Sequence, residues 1–405
     1  MKILAISQAY WPDTASISQH LTDLSIELSR KGHDVSIITS RNDYENPNIK
    51  YKKNEISENV RIIRLSNTSF GKKKKIYRLI DFITFNLLIS FKLLRIKKSD
   101  CELIISLTQP PLLAYIGIHI ARLKKIKFIY WTMDLQPELS IVADYVKANS
   151  LSANILQKMG DYIFKHSDVI ITLDKYMSHH ILRRVNTNAE IKVIPVWPAM
   201  EKVYSEDRIN NPFRNDNNFG DKIVIMYSGN HSVMHPLDTL LEAAKRLKDD
   251  PRFLFVHIGG GVRINDVRIC KEQFNLENIC LLPYQPRESI HLSLGSADLQ
   301  VVILGDNCVG YTHPNKIYGA MYIGKPILYI GPEKSHISDI LDKCEGNISV
   351  KHGEVNQLVE SLLCFASKSE IEWNKSGQNN LRYAQIHFSK ELLISQMINI
   401  IELLS

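Results

Sequence analysis

One stretch of the sequence places a lysine, a histidine and glycines where a loop is predicted to meet a helix. It reads VGYTHPNKIYGAMYIGKPILYIGP, residues 309–332, and its pattern predicts a loop, a helix and an apolar strand. Lys316 stands at the expected start of the helix, and His313 precedes it. A cation and unpaired backbone amides at a helix N-terminus suit an anionic ligand. The pattern therefore predicts an anion site. The alternative for Lys316 is a surface lysine that shields a loop.

The elements that would position this stretch follow an α/β pattern. A chain of 405 residues exceeds one typical core, so two domains of roughly 150 to 200 residues are expected. Strands and helices alternate in both halves, which predicts two Rossmann-like domains, of parallel-sheet type, that face a central cleft. We predict an N-terminal domain over 1–200, a linker over 201–220, a C-terminal domain over 221–380 and a last helix over 381–405 that packs back across the domains.

Loops that follow the predicted strands of the second half carry further candidates. Ligands of open α/β sheets bind at the carboxyl ends of the strands. The loops there read YSGNHSVMHP, HIGGGVR, LPYQPRES and GDNCVGYTHPNK, and their glycines and basic side chains suit a phosphorylated ligand. The glycine spacing is not that of a dinucleotide-binding turn, and GxxxxGK[ST], HExxH and GxSxG are missing from the sequence. Nicotinamide dehydrogenases, P-loop enzymes and two common classes of hydrolase are therefore disfavoured.

Composition limits the class of protein further. The six cysteines form no CxxC pair and no zinc-like spacing, so they are expected to be free thiols in a reducing cytoplasm. The N-terminus, MKILAISQAYWP, predicts a first strand rather than a signal peptide. The longest apolar segment, residues 76–94, is interrupted by charges and makes a poor membrane-spanning helix. A soluble or surface-bound protein is expected.

Motifs in their order along the chain give it a family resemblance. These are YWPDTASISQH…GHDV, DLQPE, YSGN…HPLDTLLEAAKRL, HIGGG, LPYQPRESI, SADLQVVIL and GYTHPNKIYGAMYIGKP. Over nearly its whole length the chain resembles the family 4 retaining glycosyltransferases of GT-B fold. It looks most like the subgroup that builds bacterial cell-surface polysaccharides of the colanic-acid and O-antigen type. The resemblance implies a nucleotide-sugar donor as the substrate, no cofactor, and transfer with retention of a hexosyl or N-acetylhexosaminyl group.

The resemblance also implies roles for residues of the second half. Lys316 would neutralise charge on the leaving phosphate, with His313 beside it. The glutamates that the family places in the last motif correspond to Tyr311 and Gly319, so the ribose must be held in another way. The family's arginine and lysine after the first donor-domain strand correspond to Asn230 and His235. The alternative for His235 is a helix cap. The glycine turns at Gly229 and Gly260 would hold phosphate, and Tyr284 would contact the base or be an exposed loop aromatic.

The first half would bind the acceptor. Ala15 and Ser16 replace the family's paired glycines and still keep small side chains at a turn close to phosphate. Asp134 and Glu138, in WTMDLQPE, would orient the acceptor hydroxyl or take its proton, or would simply cap a helix. No metal cluster is evident in the sequence, so positive groups and helix dipoles would stand in for a divalent cation.

A basic segment, Lys72–Lys98, is typical of a membrane-contact helix. It has lysine clusters at both ends and a single acid, and the apolar residues between the clusters include Ile80, Phe82, Ile83, Phe85, Leu87, Leu88 and Phe91. The alternative is a core helix with solvated lysines. Contact with an anionic membrane would place a cytoplasmic, peripheral enzyme at the inner face of the membrane, next to a polyprenyl-diphosphate-linked glycan acceptor. Nucleic acid is not expected as a partner.

Two other functions remain open at this point. A non-hydrolysing nucleotide-sugar epimerase shares two facing Rossmann-like domains but has no need of a basic membrane helix. A catalytically silent GT-B partner subunit is suggested by the missing glutamates at positions 311 and 319. Lys316 and the glycines favour the active transferase over the silent subunit.

Overall fold

A computed structural model of the chain describes residues 1–13, 15–43, 46, 48–71, 75–198, 208 and 210–404. The chain divides into two compact units, Met1–Pro195 with Glu391–Ser405, and Val196–Lys390. Three residues of the basic segment, 72–74, and residues 201–207 and 209 of the predicted linker lie outside the described residues.

The first unit is built on a sheet in which the described residues form eight strands. These are β1 (Lys2–Ile6), β2 (Asp34–Ser40), β3 (Asn54–Ser57), β4 (Val60–Leu65), β5 (Leu103–Leu107), β6 (Lys127–Trp131), β7 (Val169–Thr172) and β8 (Glu190–Val193). Their order is β3-β4-β2-β1-β5-β6-β7-β8. All neighbours are parallel except the edge strand β3, which pairs antiparallel with β4 and was not predicted.

Helices of the first unit connect these strands. They are α1 (Ser16–Arg30), α2 (Lys75–Leu94), α3 (Pro111–Lys124), α4 (Glu138–Val142), α5 (Leu151–His166) and α6 (Lys175–Arg184). Side-chain caps begin two of them, since Ser150 accepts from the backbone of Ala153 at α5 and Asp174 accepts from Met177 at α6. The short α4 and α6 were missed because their apolar positions are too few to show a helical period.

The second unit is a smaller, fully parallel sheet. Its strands are β9 (Ile223–Asn230), β10 (Phe253–Gly260), β11 (Ile279–Leu282), β12 (Leu299–Ile303), β13 (Ile327–Ile330) and β14 (Ile348–Val350). The order among the described residues is β11-β10-β9-β12-β13-β14. The chain leaves β9 to one side and later returns to its other side, so the carboxyl end of β9 is the topological switch point where ligands of such sheets bind.

The helices that follow along the chain are shorter, apart from the last three. They are α7 (Pro212–Asp216), α8 (Asp238–Arg246), α9 (Ile264–Phe274), α10 (Ile290–Gly295), α11 (Lys316–Tyr322), α12 (His336–Leu341), α13 (Val355–Ser367), α14 (Glu370–His387) and α15 (Lys390–Glu402). Single 3-10 turns occur at Lys98–Asp100, Arg287–Ser289 and Asp306–Cys308. The helix predicted within the 309–332 stretch is α11, and the strand predicted after it is β13. Among the helices of the described residues, none combines the length and apolarity needed to cross a bilayer.

A buried ion-pair network ties the start of the second unit to its sheet. The Asp298 carboxylate accepts from Nε of Arg208 at 2.9 Å, from a guanidinium nitrogen of Arg214 at 3.2 Å and from the backbone of Val224 at 2.8 Å. The side chains of Asp298 and Arg214 are only 2% and 3% exposed. A buried pair of this kind is costly to break because the remaining charge has no partner.

Replacing Asp298 by Asn should therefore destabilise the protein. The free energy of unfolding is expected to fall by about 3 kcal/mol, since the buried Arg214 charge is left uncompensated. Urea denaturation of the full chain measures the change. The control is Glu333→Gln, which breaks the solvent-exposed pair with Lys351 and should leave the unfolding midpoint where it is. Equal effects of the two variants would contradict this interpretation.

Candidate functional site

Two glycine turns lie side by side at the carboxyl ends of β9 and β10. Gly229 and Gly259 have φ of 124°, and Gly261 has φ of 115°, a range that side chains rarely adopt. A Cβ added to Gly259 would lie 2.2 Å from the carbonyl oxygen of Gly229, and one added to Gly261 would lie 2.2 Å from Oδ1 of Asn230. Glycine is required here because the two turns approach so closely. Their backbone is left accessible at the switch point of the sheet.

Lys316, the first residue of α11, reaches this point. Its Nζ lies 3.6 Å from the centroid of the Tyr227 ring, and a Cβ on Gly229 would lie 3.7 Å from the same Nζ. The Nζ atom is buried and has no hydrogen-bond partner among the described residues. Burial lowers the pKa of Lys316 well below its usual value. A buried amine beside glycine backbone is a site that an anion would complete, because the anion supplies the missing partner.

Two buried histidines, His231 and His257, connect the two glycine turns through hydrogen bonds. Nδ1 of His231 lies 3.1 Å from the carbonyl oxygen of Gly229 and 3.2 Å from that of Gly260. Only a protonated Nδ1 can donate to these oxygens, so Nε2 of a neutral His231 accepts from Nδ1 of His257 at 3.3 Å. Burial, followed by the charge of Lys316, lowers the pKa of His231 to about 4. Burial, followed by His231, lowers the pKa of His257 to about 3. Both rings are therefore neutral at physiological pH.

The other predicted residues of β9 to β11 surround the same turns. Asn230 ends β9 and is exposed, with its side chain against the Gly261 turn. His235 lies in the loop before α8, and burial, followed by the charge of Lys316, lowers its pKa well below the usual value. The ring of Tyr284 packs against the second turn, where a Cβ on Gly260 would lie 3.1 Å from its Cε2, and 56% of the residue is exposed. Its predicted contact with a base stays a prediction.

His313 and Tyr311 precede α11 in the connecting loop. The His313 ring shares a hydrogen bond of 2.6 Å between its Nε2 and the hydroxyl of Tyr318, and it stacks on His336 at 3.8 Å between centroids. Tyr311 is half-buried, and its backbone N–H donates to the carbonyl of Cys308 at 3.0 Å. The structure thus assigns the His313 ring to contacts with Tyr318 and His336. The substrate-binding roles of His313 and Tyr311 stay predictions.

In the first unit, Glu138 belongs to an ion-pair network. The two carboxylate oxygens accept from one guanidinium nitrogen of Arg184 at 2.8 and 3.1 Å, and one also lies 2.8 Å from Nε2 of His180. Arg184 donates in addition to Asp161 at 2.6 Å. Burial acts to raise the pKa of Glu138, but the His180 hydrogen bond and the Arg184 charge outweigh it and lower the pKa. The carboxylate therefore anchors α4 to α6, and its acceptor-binding role stays a prediction.

Three further predicted residues of the first unit lie after strand ends. Asp134 is half-buried after β6, and its backbone carbonyl accepts from the Thr132 hydroxyl at 3.2 Å. Ala15 immediately precedes α1, and its backbone N–H donates to Oδ1 of Asp13 at 2.9 Å. Ser16 is the first residue of α1. These positions follow β6 and β1, as the strand pattern predicted, and their roles stay predictions.

Sequence reasoning missed Tyr227 and His257 as parts of the site. Each follows a run of four buried apolar residues in its strand, IVIMYSGN or FLFVHIGG, so both resemble core residues. The available signal was a histidine in an otherwise apolar buried strand, because a buried polar ring needs a hydrogen-bond partner.

Solved structures of GT-B glycosyltransferases share the fold of this chain. A sucrose-phosphate synthase of Thermosynechococcus elongatus superposes with a TM-score of 0.75 at 16% identity, covering 99% of this chain and 98% of that one. WaaG, a glycosyltransferase involved in lipopolysaccharide biosynthesis, gives 0.71 at 12% identity, with 98% and 99% covered. Anabaena HepE in complex with UDP-glucose gives 0.72 at 12% identity, with 99% of each covered. The chain has the GT-B fold, and the predicted fold class is confirmed.

Curated relatives agree with the motif resemblance. The chain is 25% identical over 246 residues to a probable glycosyltransferase, WbjE of Pseudomonas aeruginosa, and the aligned part spans 60% of each protein. It is 21% identical over 415 aligned residues to WcaI of Escherichia coli (strain K12), a putative colanic acid biosynthesis glycosyl transferase, over 98% of this chain and 99% of that protein. No protein-family model matches the chain. The resemblance to glycosyltransferases of surface-polysaccharide type is confirmed.

Replacing Lys316 by Met should separate stability from ligand binding. Met fills a similar space without a buried amine, so the free energy of unfolding of the ligand-free protein is expected to rise by about 1 to 3 kcal/mol. If Lys316 is part of an anion site, the same variant should also lose the stabilisation expected from binding of a nucleoside diphosphate. Thermal unfolding with and without ligand measures both effects. A variant that is less stable without ligand, yet still stabilised by it, would contradict the assignment.

Proposed function

We propose that the protein is a retaining glycosyltransferase that moves a hexosyl or N-acetylhexosaminyl group from a nucleoside-diphosphate sugar to an acceptor glycan. The observation that carries the proposal is the buried Lys316 amine beside the glycine turns of β9 and β10, without a hydrogen-bond partner among the described residues. The GT-B fold and the glycosyltransferase relatives support it. HepE, which shares the fold, was solved with UDP-glucose, and this supports a nucleotide-sugar donor.

Lys316 would act on the charge that develops in the reaction. The bond between the anomeric carbon and the phosphate oxygen breaks, and its electron pair stays on the phosphate. The acceptor oxygen bonds to the anomeric carbon on the same face, and the acceptor proton passes to an oxygen of the leaving phosphate. Negative charge on that phosphate is largest at the transition state, so a preorganised ammonium and backbone N–H groups there lower the barrier. We assign no protein nucleophile.

The acceptor is proposed to be a lipid-linked intermediate of surface-polysaccharide synthesis. The relative WcaI is named for colanic acid biosynthesis and WaaG for lipopolysaccharide biosynthesis, which supports a glycan of this class. A polyprenyl-diphosphate carrier would hold the acceptor at a membrane surface. The enzyme would then act as a cytoplasmic, peripheral protein at the inner face of the membrane.

Helix α2 presents a surface suited to such a membrane. Large apolar side chains are exposed at intervals of three or four residues, which places them along one face of the helix. This α2 stripe consists of Ile76, Leu79, Ile83, Leu87, Phe91 and Leu94. The opposite face, with Phe85, Ile89 and Leu93, is fully buried and belongs to the core. Exposed Arg78 and Arg95 lie at the two ends of the helix, where they would meet anionic headgroups.

Thermal-shift screening tests the donor proposal. The full chain is heated with UDP, ADP, GDP and TDP and with their sugar conjugates. A ligand at a concentration of 100 times its Kd should add about 2.7 kcal/mol to the free energy of unfolding. Absence of any shift across the panel would contradict a nucleotide-sugar donor.

The ligand with the largest shift is then used with a lipid-linked glycan acceptor to measure transfer and the configuration of the product. Donor consumption without acceptor would favour the epimerase, and binding without transfer would favour the silent subunit.

Vesicle flotation tests the membrane surface. The chain should float with vesicles of phosphatidylglycerol and phosphatidylcholine and stay behind with phosphatidylcholine alone, because the basic side chains need anionic lipid. Leu79→Glu combined with Leu87→Glu places acids in the α2 stripe and should reduce binding by about ten-fold or more. The control is Ile371→Glu, which places an acid at an exposed apolar position on α14, outside the α2 stripe. Equal flotation of the control and the double variant would argue against membrane binding through the α2 stripe.

A further inference from the structure

Tyr227 is a buried aromatic residue that the proposed reaction does not itself require. It lies near the carboxyl end of β9 and is 0% exposed. The face of its ring is turned to Lys316, with the Nζ atom 3.6 Å from the ring centroid. Its hydroxyl is used elsewhere, since it donates to the backbone carbonyl of Asn230 at 2.9 Å. The hydrogen bond of the hydroxyl therefore fixes the ring of Tyr227, and the face of the ring is turned towards Lys316.

We propose that Tyr227 is a positioning residue of the anion site: its ring face holds the Lys316 ammonium beside the glycine turns, where the diphosphate of a donor would bind. The proposal rests on the proposed function for the identity of that anion as part of a nucleotide sugar. The negative face of an aromatic ring attracts an ammonium, and the attraction is strongest where water is excluded. The ring face thus fixes the position of the Lys316 ammonium beside the glycine turns.

In the part of the chain that the structure describes, the titratable groups around Lys316 do not compensate its charge. His231 at the end of β9 and His235 in the following loop each have a pKa that the Lys316 charge helps to lower. His257 on β10 is neutral behind His231. Burial, followed by Tyr284 after β11, raises the pKa of Tyr227, so its phenol also stays neutral. Among the carboxylates of the described residues, none contributes to the pKa of Lys316, which burial lowers.

This arrangement couples anion binding to the uptake of a proton by the Lys316 amine. The amine is protonated less readily in the free protein than in the complex, because a bound diphosphate stabilises the ammonium. Binding therefore takes up a proton at any pH between the low pKa of Lys316 in the free protein and its higher pKa in the complex. The contribution of Lys316 to the affinity therefore falls as pH rises through that range. Loss of the Tyr227 ring removes support for the ammonium in the free protein, so the fall should begin at a lower pH.

Calorimetric titration with inorganic pyrophosphate, and in parallel with UDP, ADP, GDP and TDP, tests the proposal from about pH 6 to about pH 9. Tyr227→Leu should weaken binding by about ten-fold at the alkaline end and by less at the acid end, because a lower pH favours the Lys316 ammonium in both proteins. Tyr227→Phe keeps the ring face and should restore most of the lost affinity. Phe253→Leu, which removes a buried ring at the amino end of β10, should follow the wild-type curve. Tyr227→Met takes the place of Tyr227→Leu if the latter does not fold.

The outcomes separate this inference from the proposed function. A Tyr227→Leu curve that equals the wild-type curve, or is displaced equally at every pH, would overturn the positioning role. Binding of a nucleoside diphosphate in either case would leave the proposed function intact. Binding of pyrophosphate without any nucleotide, with the expected effect of Tyr227→Leu, would overturn the nucleotide-sugar function and uphold the positioning role. A wild-type chain that binds none of the probes would overturn both.

Discussion

The burial of one amine, that of Lys316, is the constraint on which the arrangement of the candidate site in the second unit depends. Lys316 lies against the Tyr227 ring with no hydrogen-bond partner among the described residues, and burial alone depresses its pKa. Such a group lowers the stability of a protein, because an amine without a partner prefers water. Proteins retain such groups where a ligand completes them. The glycines beside it serve the same end, since the absence of a Cβ at Gly229 and Gly259 lets backbone approach the same point.

Two other charged residues of this chain, the buried Asp298 and the half-buried Glu138, do have hydrogen-bond partners. Asp298 accepts from two arginines and a backbone N–H, and Glu138 accepts from Arg184 and lies within hydrogen-bond distance of His180. Their hydrogen-bonding capacity is used within the fold, so they tie elements together and leave little for a ligand. The distinction between a satisfied and an unsatisfied buried charge separates structural ion pairs from Lys316. Sequence alone does not show whether a buried charge has a partner. In the sequence, both Lys316 and the paired acids are simply charged residues next to a strand or at the start of a helix.

The topology of the parallel sheet explains why the site lies where it does. The chain passes from β9 to β10 on one side and reaches β12 on the other, so the loops diverge above the end of β9. The two turns remain in register, with Gly229 opposite Gly259 and Asn230 opposite Gly260. His231 then fastens both turns through a single protonated nitrogen. The shape of the site thus follows from strand order together with one buried histidine pair.

The sequence by itself determined the α/β alternation, the parallel sheets and the positions of the loops that follow the strands. These features depend on local period and on the rule that strand ends gather loops, and both can be read along the chain. Only the tertiary structure decided that Tyr227 lies under Lys316, that His257 supports His231, that Glu138 is held by Arg184 and that Phe85 is buried. Each of these depends on contacts between residues distant in sequence, or on which face of a helix packs inward, and residue types and spacing do not specify such contacts.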